Sequence, residues 1–323
     1  MTTYKEIFGK YVKNYSSDPT SDIEGQIWYN TTSGTFKVNT VADTWTSGGN
    51  LATARVAGGN NGGTQTAGLA FGGFTGTVRT NATEEYDGTS WSPGGNLVAG
   101  RSNLGGCGTQ TAGLGAGGYP FIRNDSEKYD GSTWTTTGNI NTARFNISLT
   151  GIQTAALGFG GNGYGTAPLT ATEEFNGSTW TSQNSMANPR AGEGAAGIQT
   201  AALAFGTSTN AATEEYDGTN WTAGGNMVNM RGACFAAGTQ TAALASGGAQ
   251  PTLSPLYRGT TERYDGTTWA TSPANMLSAR CAGMSGGSQT AALAAGGDAS
   301  GIYTAATEEF TPSLVATKTI TTS

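Results

Sequence analysis

The chain has 323 residues, with 16 lysines and arginines against 22 acids for a net charge of −6, 52 glycines, three cysteines and no histidine. Histidine general-base chemistry and imidazole metal sites are therefore excluded, and with 12% charged residues the chain lacks the basic surface that neutralises nucleic-acid phosphates. No apolar run approaches the roughly 18 to 20 residues that span a bilayer. The opening, Met1 to Phe8, has no signal-peptide h-region, so the sequence predicts folding in the cytoplasm where the chain is made, without membrane insertion or nucleic-acid binding.

Residues 1 to about 40 carry no repeat. They cluster Tyr4, Phe8, Tyr11 and Tyr15 ahead of a break at Asp18-Pro19, then alternate as a hairpin over Gln26 to Asn30 and Thr35 to Val38. Trp28 in that hairpin is either exposed or covered by a partner. From Trp45 onward one unit recurs, marked by Trp45, Trp91, Trp134, Trp180, Trp221 and Trp269. An arginine follows each tryptophan (Arg55, Arg101, Arg144, Arg190, Arg231, Arg280), then a Gln-Thr-Ala block opening at Gln65, Gln110, Gln153, Gln199, Gln240 and Gln289. Each copy ends in a Glu-x-aromatic triplet at Tyr86, Tyr129, Phe175, Tyr216, Tyr264 or Phe310. Four anchors sustained over six copies, at a period in the forties, are the signature of a repeat fold.

Each copy reads as four short strands: the Trp segment, the segment after Arg, the Gln-Thr-Ala segment and the Glu-x-Tyr segment. Asx-Gly turns such as Asp87-Gly88 and Asn176-Gly177 join the fourth to the next Trp and supply positive φ angles, so neighbours pair antiparallel. No segment has a 3.6-residue apolar period. The prediction is an all-β, six-bladed propeller over residues 41–323 behind an attachment segment at 1–40, with an N-terminal strand completing the last blade. A seven-bladed ring is the alternative, its extra blade built from the hairpin at 26 to 38 and the C-terminal Val315 to Thr321.

The order Arg, Gly-Gly after an apolar strand, Glu-x-Tyr-Asp, then Trp is similar to kelch-type propeller repeats across about residues 41 to 316, with a shorter period and a Gln-Thr-Ala block foreign to them. The hairpin segment Glu24 to Val38, with the ending Ala316 to Ser323, resembles a family of virion structural proteins of tailed marine bacteriophages. That resemblance implies a non-enzymatic virion component of tail-fibre type, oligomeric in the particle. It would be joined to other virion proteins through its N-terminal segment and would display the propeller to a host-surface glycan or protein. The alternatives are a purely structural tail, collar or capsid-decoration protein and, less favoured, a glycan hydrolase.

The six repeat glutamates, Glu84, Glu127, Glu173, Glu214, Glu262 and Glu308, lie two before the strand aromatic and share its face. Pairing with the repeat arginine makes one partly buried ion pair per blade, and sixfold repetition marks these as architecture rather than catalysis. The varying residue between Glu and aromatic is expected to face solvent. The tryptophans are expected to pack between blades, and Cys107, Cys234 and Cys281 to be small buried thiols. The Asp-Gly-x-x-Trp turns miss the sialidase Asp-box spacing, no unique acid and nucleophile stand out, and no cofactor or metal is expected. What varies is the connection from the Gly-Gly strand to the Glu-x-Tyr strand. It gathers Phe74, Arg79, Tyr119, Phe121, Arg123, Tyr164, Leu256, Tyr257, Arg258 and Tyr303 on one face, as the candidate binding residues.

Overall fold

The structure is a computed structural model that describes residues 12–18, 27–40, 43–59, 62–250, 256–312 and 316–320. Tyr4, Phe8, Tyr11 and Pro19 lie outside the described residues. The chain divides into two compact units, Trp45–Phe310 and a second made of Met1–Thr44 with Thr311–Ser323.

The smaller unit is one four-stranded sheet. Lys13–Tyr15 pairs parallel with Ile27–Asn30, which turns back antiparallel onto Thr35–Thr40, and Ala316–Ile320 adds antiparallel to that strand with Phe36 opposite Ile320. Trp28 is fully buried within its own chain, and its indole N–H donates to the Asp18 carboxylate at 3.2 Å. Asn30 donates to the same carboxylate at 2.7 Å, so Asp18 ties the approach segment to the hairpin. The boundary at 41–323 is corrected accordingly: the propeller ends at Phe310, because the C-terminal strand satisfies its backbone against Thr35–Thr40.

The larger unit holds, among the described residues, six four-stranded antiparallel sheets and a two-stranded hairpin, Asp298–Ala299 with Ile302–Tyr303. Blades 1 to 6 begin with the inner strands Gly63–Thr64, Gly105–Thr109, Ser148–Ile152, Gly194–Ile198, Phe235–Thr239 and Met284–Gly287. In blade 2, Ala112–Ala116, Ser126–Tyr129 and Trp134–Thr137 follow outward in order. Blade 6 continues with Ala292–Ala295 and Thr307–Thr311 and takes its outer strand, Thr44–Ser47, from the start of the ring. The inner strands lie side by side in a closed cycle with blade 6 against blade 1, so the propeller has six blades and no place for a seventh. Small residues make that crowding feasible: a Cβ on Gly194 would stand 2.2 Å from the Phe205 ring. The Asx-Gly turns do join antiparallel strands, but only the glycine is left-handed, as at Gly88 with φ 90°. The Asp87 carboxylate closes the turn by accepting from the amides of Thr89 and Ser90 at 2.8 and 2.7 Å.

Neighbouring blades are joined by side chains that recur in all six. Each repeat Trp donates its indole N–H to a hydroxyl on the third strand of the preceding blade, as Trp134 does to Thr83 at 2.9 Å and Trp180 to Ser126 at 3.1 Å. Each repeat Gln donates to two carbonyls of the preceding blade; Gln153 reaches Gly113 at 3.0 Å and Tyr129 at 2.6 Å. Within each blade the expected ion pair is present, from Arg55–Glu84 at 3.0 Å and Arg101–Glu127 at 2.5 Å to Arg280–Glu308. All six arginines are buried.

The residue between Glu and aromatic does not face solvent. It is half-buried against the next blade, and its identity follows the aromatic there. Where that aromatic is tyrosine the residue is glutamate and accepts from the phenol, as in Tyr129 to Glu85 at 2.6 Å and Tyr216 to Glu174 at 3.0 Å, with Tyr86 to Glu309 and Tyr264 to Glu215 alike. Where it is phenylalanine the residue is a cation. Arg263 lies 5.2 Å over the Phe310 ring, and Lys128 donates to the Gly177 carbonyl beside Phe175 at 3.1 Å. Burial and the glutamate bond together push the phenols of Tyr86, Tyr129 and Tyr264 up to about 12.

Two stability predictions follow from these contacts. Arg144→Met strands Glu173, its partner at 2.9 Å, without a cation in the interior. The variant should lose roughly 3 to 5 kcal/mol in chemical denaturation, and an unchanged midpoint would contradict the buried pair. Lys128→Glu combined with Phe175→Tyr rebuilds the tyrosine–glutamate bond, so the double variant should exceed the sum of its single variants by about 1 kcal/mol. Simple additivity would mean that the position does not read the neighbouring aromatic.

Candidate functional site: the loop face and the axial cavity

In an antiparallel four-stranded blade, the connection entering the inner strand and the connection from second to third strand emerge on the same face. On that face, two residues beyond each repeat arginine, stands a left-handed residue: Ala57, Asn103, Asn146, Gly192, Ala233 and Ala282, with φ between 51° and 66°. Their backbones close a ring. Each N–H donates to the carbonyl of the preceding blade's member, Asn103 to Ala57 at 2.6 Å, Asn146 to Asn103 at 2.7 Å and so round to Ala57, which donates to Ala282 at 2.6 Å. Holding alanine in this region costs on the order of 1 kcal/mol, which the ring hydrogen bonds offset.

The ring frames an axial cavity of about 330 Å³ whose lining draws on every blade, with Asn103, Asn146, Ser148, Ser208 and Glu193 as its polar members. Asn103 donates to Asn146 at 2.7 Å, and Asn146 to Asn162 at 3.0 Å. Glu193 is the exceptional residue. Three places beyond the repeat arginine the other blades carry Gly58, Leu104, Ile147, Cys234 and Gly283. Glu193 is 7% exposed, its carbonyl accepts from Ser148 at 3.2 Å, and among the described residues neither carboxyl oxygen has a hydrogen-bond partner. Burial pushes its carboxyl up to about 7, while the nearby Arg190 and Arg144 pull it down. Cys234, also on the cavity wall, is pushed up to about 11 by burial, and all three cysteines are buried thiols as expected.

The loop residues separate into three groups. Tyr303, Phe74, Arg79 and Tyr119 form a continuous row across blades 6, 1 and 2. The Phe74 ring meets Tyr303 edge-on at 6.0 Å, and the Arg79 guanidinium lies 5.3 Å from the Phe74 centroid and 4.4 Å from that of Tyr119. Phe145 extends the row, 6.0 Å from Tyr119. Phe121 and Tyr164 project singly, 85% and 83% exposed, the latter on the 3-10 turn Tyr164–Thr166.

Arg123, Tyr257 and Arg258 are instead held within the protein. Arg123 grips Asp125 through two bonds of 2.7 and 2.9 Å, and Asp125 also pairs with Arg101. The Tyr257 hydroxyl donates to Asp298 at 3.0 Å, and Arg258 donates to the buried Gln250. Phe145 and Glu193 were not among the residues singled out from sequence. The signal for Glu193 was present, as the one charge in an otherwise small or apolar column.

No protein-family profile matches the sequence, and no curated protein is similar to it. Among solved structures the chain resembles that of YjhT, with a TM-score of 0.65 and 12% identity over 80% of this chain and 95% of that one. At that identity the likeness bears on the fold alone, and the fold is a β-propeller.

The carboxyl of Glu193 titrates near 4.5 when unfolded and near 7 when folded. The folded state therefore holds a proton that the unfolded state has released, and stability falls as pH rises through that window. Glu193→Gln, which keeps the neutral shape, should melt close to wild type at pH 5 and be more stable at pH 8 by about 3 kcal/mol. Parallel pH profiles for the two proteins would refute this.

Proposed function

We propose that the chain is a non-enzymatic component of a tailed-phage virion, of tail-fibre type with kelch-like repeats, whose propeller meets the host surface with its loop face. In this reading the N-terminal segment attaches to other virion proteins, the protein is oligomeric in the particle, and the partner is a host-surface glycan or protein. The observation that carries it is the contrast between the two propeller faces. One face repeats the same Gln-Thr-Ala turn in every blade and the Asx-Gly turn in blades 1 to 5, whereas the other varies in loop length and presents Phe121 and Tyr164 almost fully to solvent. Exposed aromatics on irregular loops over a rigid frame are the usual arrangement of a recognition surface.

A glycan hydrolase fits less well, because retaining and inverting mechanisms use two carboxyl groups across the scissile bond and Glu193 is the only acid among the described cavity-lining residues. Replacing Phe121 and Tyr164 together by Ser should leave the melting temperature within about 2 °C of wild type, since neither is packed. Particle assembly should be unaffected and adsorption to host cells should fall. Normal adsorption with failed assembly would instead make this face an intraparticle interface, as a structural tail, collar or decoration protein requires.

A further inference from the structure

The three loop arginines differ in what they hold. Arg123 is neutralised by Asp125 and Arg258 donates to the neutral Gln250, whereas among the described residues Arg79 has neither a carboxylate partner nor a side-chain hydrogen bond. Its position is fixed from both ends of a hairpin. Phe74 bridges Val56 on one side and Arg79 on the other, and the tip between them is closed by the Thr75 amide donating to Val78 at 3.0 Å. Tyr119, from the next blade, is anchored by reciprocal backbone bonds with Ser102 at 2.8 and 2.9 Å. The guanidinium therefore lies between two aromatic rings that are themselves held by the frame.

This geometry limits what Arg79 binds. Two rings flank the guanidinium, and a planar cation so placed makes two parallel bonds to a carboxylate or phosphate through its terminal nitrogens. The rings leave Arg79 half-buried, and the adjoining Tyr119 is 40% exposed, leaving ring surface for a sugar to lie on. In a chain of net charge −6, an unpaired cation fixed in this way is a local reversal of sign. We propose that the Arg79 cleft, with Phe74 and Tyr119, takes an oxyanion carried on a surface sugar, either the carboxylate of a uronic acid or a sugar phosphate. This deepens the host-surface reading and rests on it.

The test uses the full chain and two matched pairs of probes: oligogalacturonate with its methyl ester, and phosphomannan with its dephosphorylated form, titrated by calorimetry at low and physiological salt. At least one anionic probe should bind, with its neutral counterpart weaker by roughly tenfold or more. The pair that responds identifies carboxylate or phosphate. Arg79→Lys keeps the charge but loses the fork and should weaken that probe by roughly tenfold, and Arg79→Met by more. Equal binding of charged and neutral forms would overturn the proposal without recourse to any variant, as would unchanged affinity in a folded Arg79→Met. If neither anionic probe binds while the wild-type protein still coats host cells, the oxyanion proposal fails and the host-surface reading stands. If it coats no host cells either, both fail.

Discussion

The buried arginine of each blade sets the positions of almost everything on the loop face. It enters the interior immediately after the crossover from the preceding outer strand, and its glutamate binds that crossover as well. The second oxygen of Glu173 accepts the Asn141 amide at 2.6 Å while the first holds Arg144, and Glu262 does the same for Val228 at 2.8 Å and Arg231. Arg144 also donates to the carbonyls of Gly160 and Ala171, at 3.1 and 2.9 Å, pinning both ends of the second-to-third-strand loop. Desolvation works against the pair: burial lowers the Arg144 pKa against the pull of Glu173, and its Nε has no partner. The net gain over an apolar replacement is small. What the pair supplies is geometry, since it fixes where the crossover ends and so places the left-handed residue two positions on, where the axial ring forms.

Between blades the bonds are equally regular, but one column differentiates the neighbours. Trp to hydroxyl and Gln to carbonyl recur without change and would let any blade follow any other. The Glu-or-cation position adds selectivity: a tyrosine set against Lys128 or Arg263 would lose its acceptor, and a phenylalanine set against Glu85 would leave a half-buried carboxylate without its phenol. Phenylalanine occurs at blades 3 and 6 and the cations at blades 2 and 5, so the pattern alternates around the ring with a period of three. Closure then depends on Thr44–Ser47 completing blade 6, where Trp45 donates to Thr261 at 2.9 Å and packs on Phe310 at 5.3 Å.

What could be read from the sequence was what repeated. The Trp, Arg, Gln and Glu columns declared strand order, blade number and ion pairing because six copies cannot agree by chance. The residue between Glu and aromatic was misjudged because alternation along a strand separates its two faces, and in a propeller both faces are covered by neighbouring blades. Tyr257 and Arg258 looked free for the same kind of reason. Asp298, the partner of Tyr257, lies in the next blade and only the folded ring brings it near, while Gln250, the partner of Arg258, sits eight residues back in the same connection and meets it only when that loop folds on itself. The C-terminal strand was placed with the propeller because its partner, Thr35–Thr40, is the most distant in sequence.

The loop face departs from sixfold symmetry in a directed way. The residue after the Gly-Gly turn is Phe74, Tyr119, Asn162, Ser208, Ala249 and Asp298 in blades 1 to 6, so the aromatic wall stands over blades 1 and 2 and the small residues over blades 4 and 5. Ser208 and Ala249 line the axial cavity. In blade 4 Thr207 replaces the second glycine and bonds straight back, its amide to the Asn210 carbonyl at 2.7 Å, which keeps that loop short. The same blade carries Glu193. At this one position, therefore, the frame that the arginines hold carries aromatic rings on one side of its axis and small side chains beside the cavity on the other.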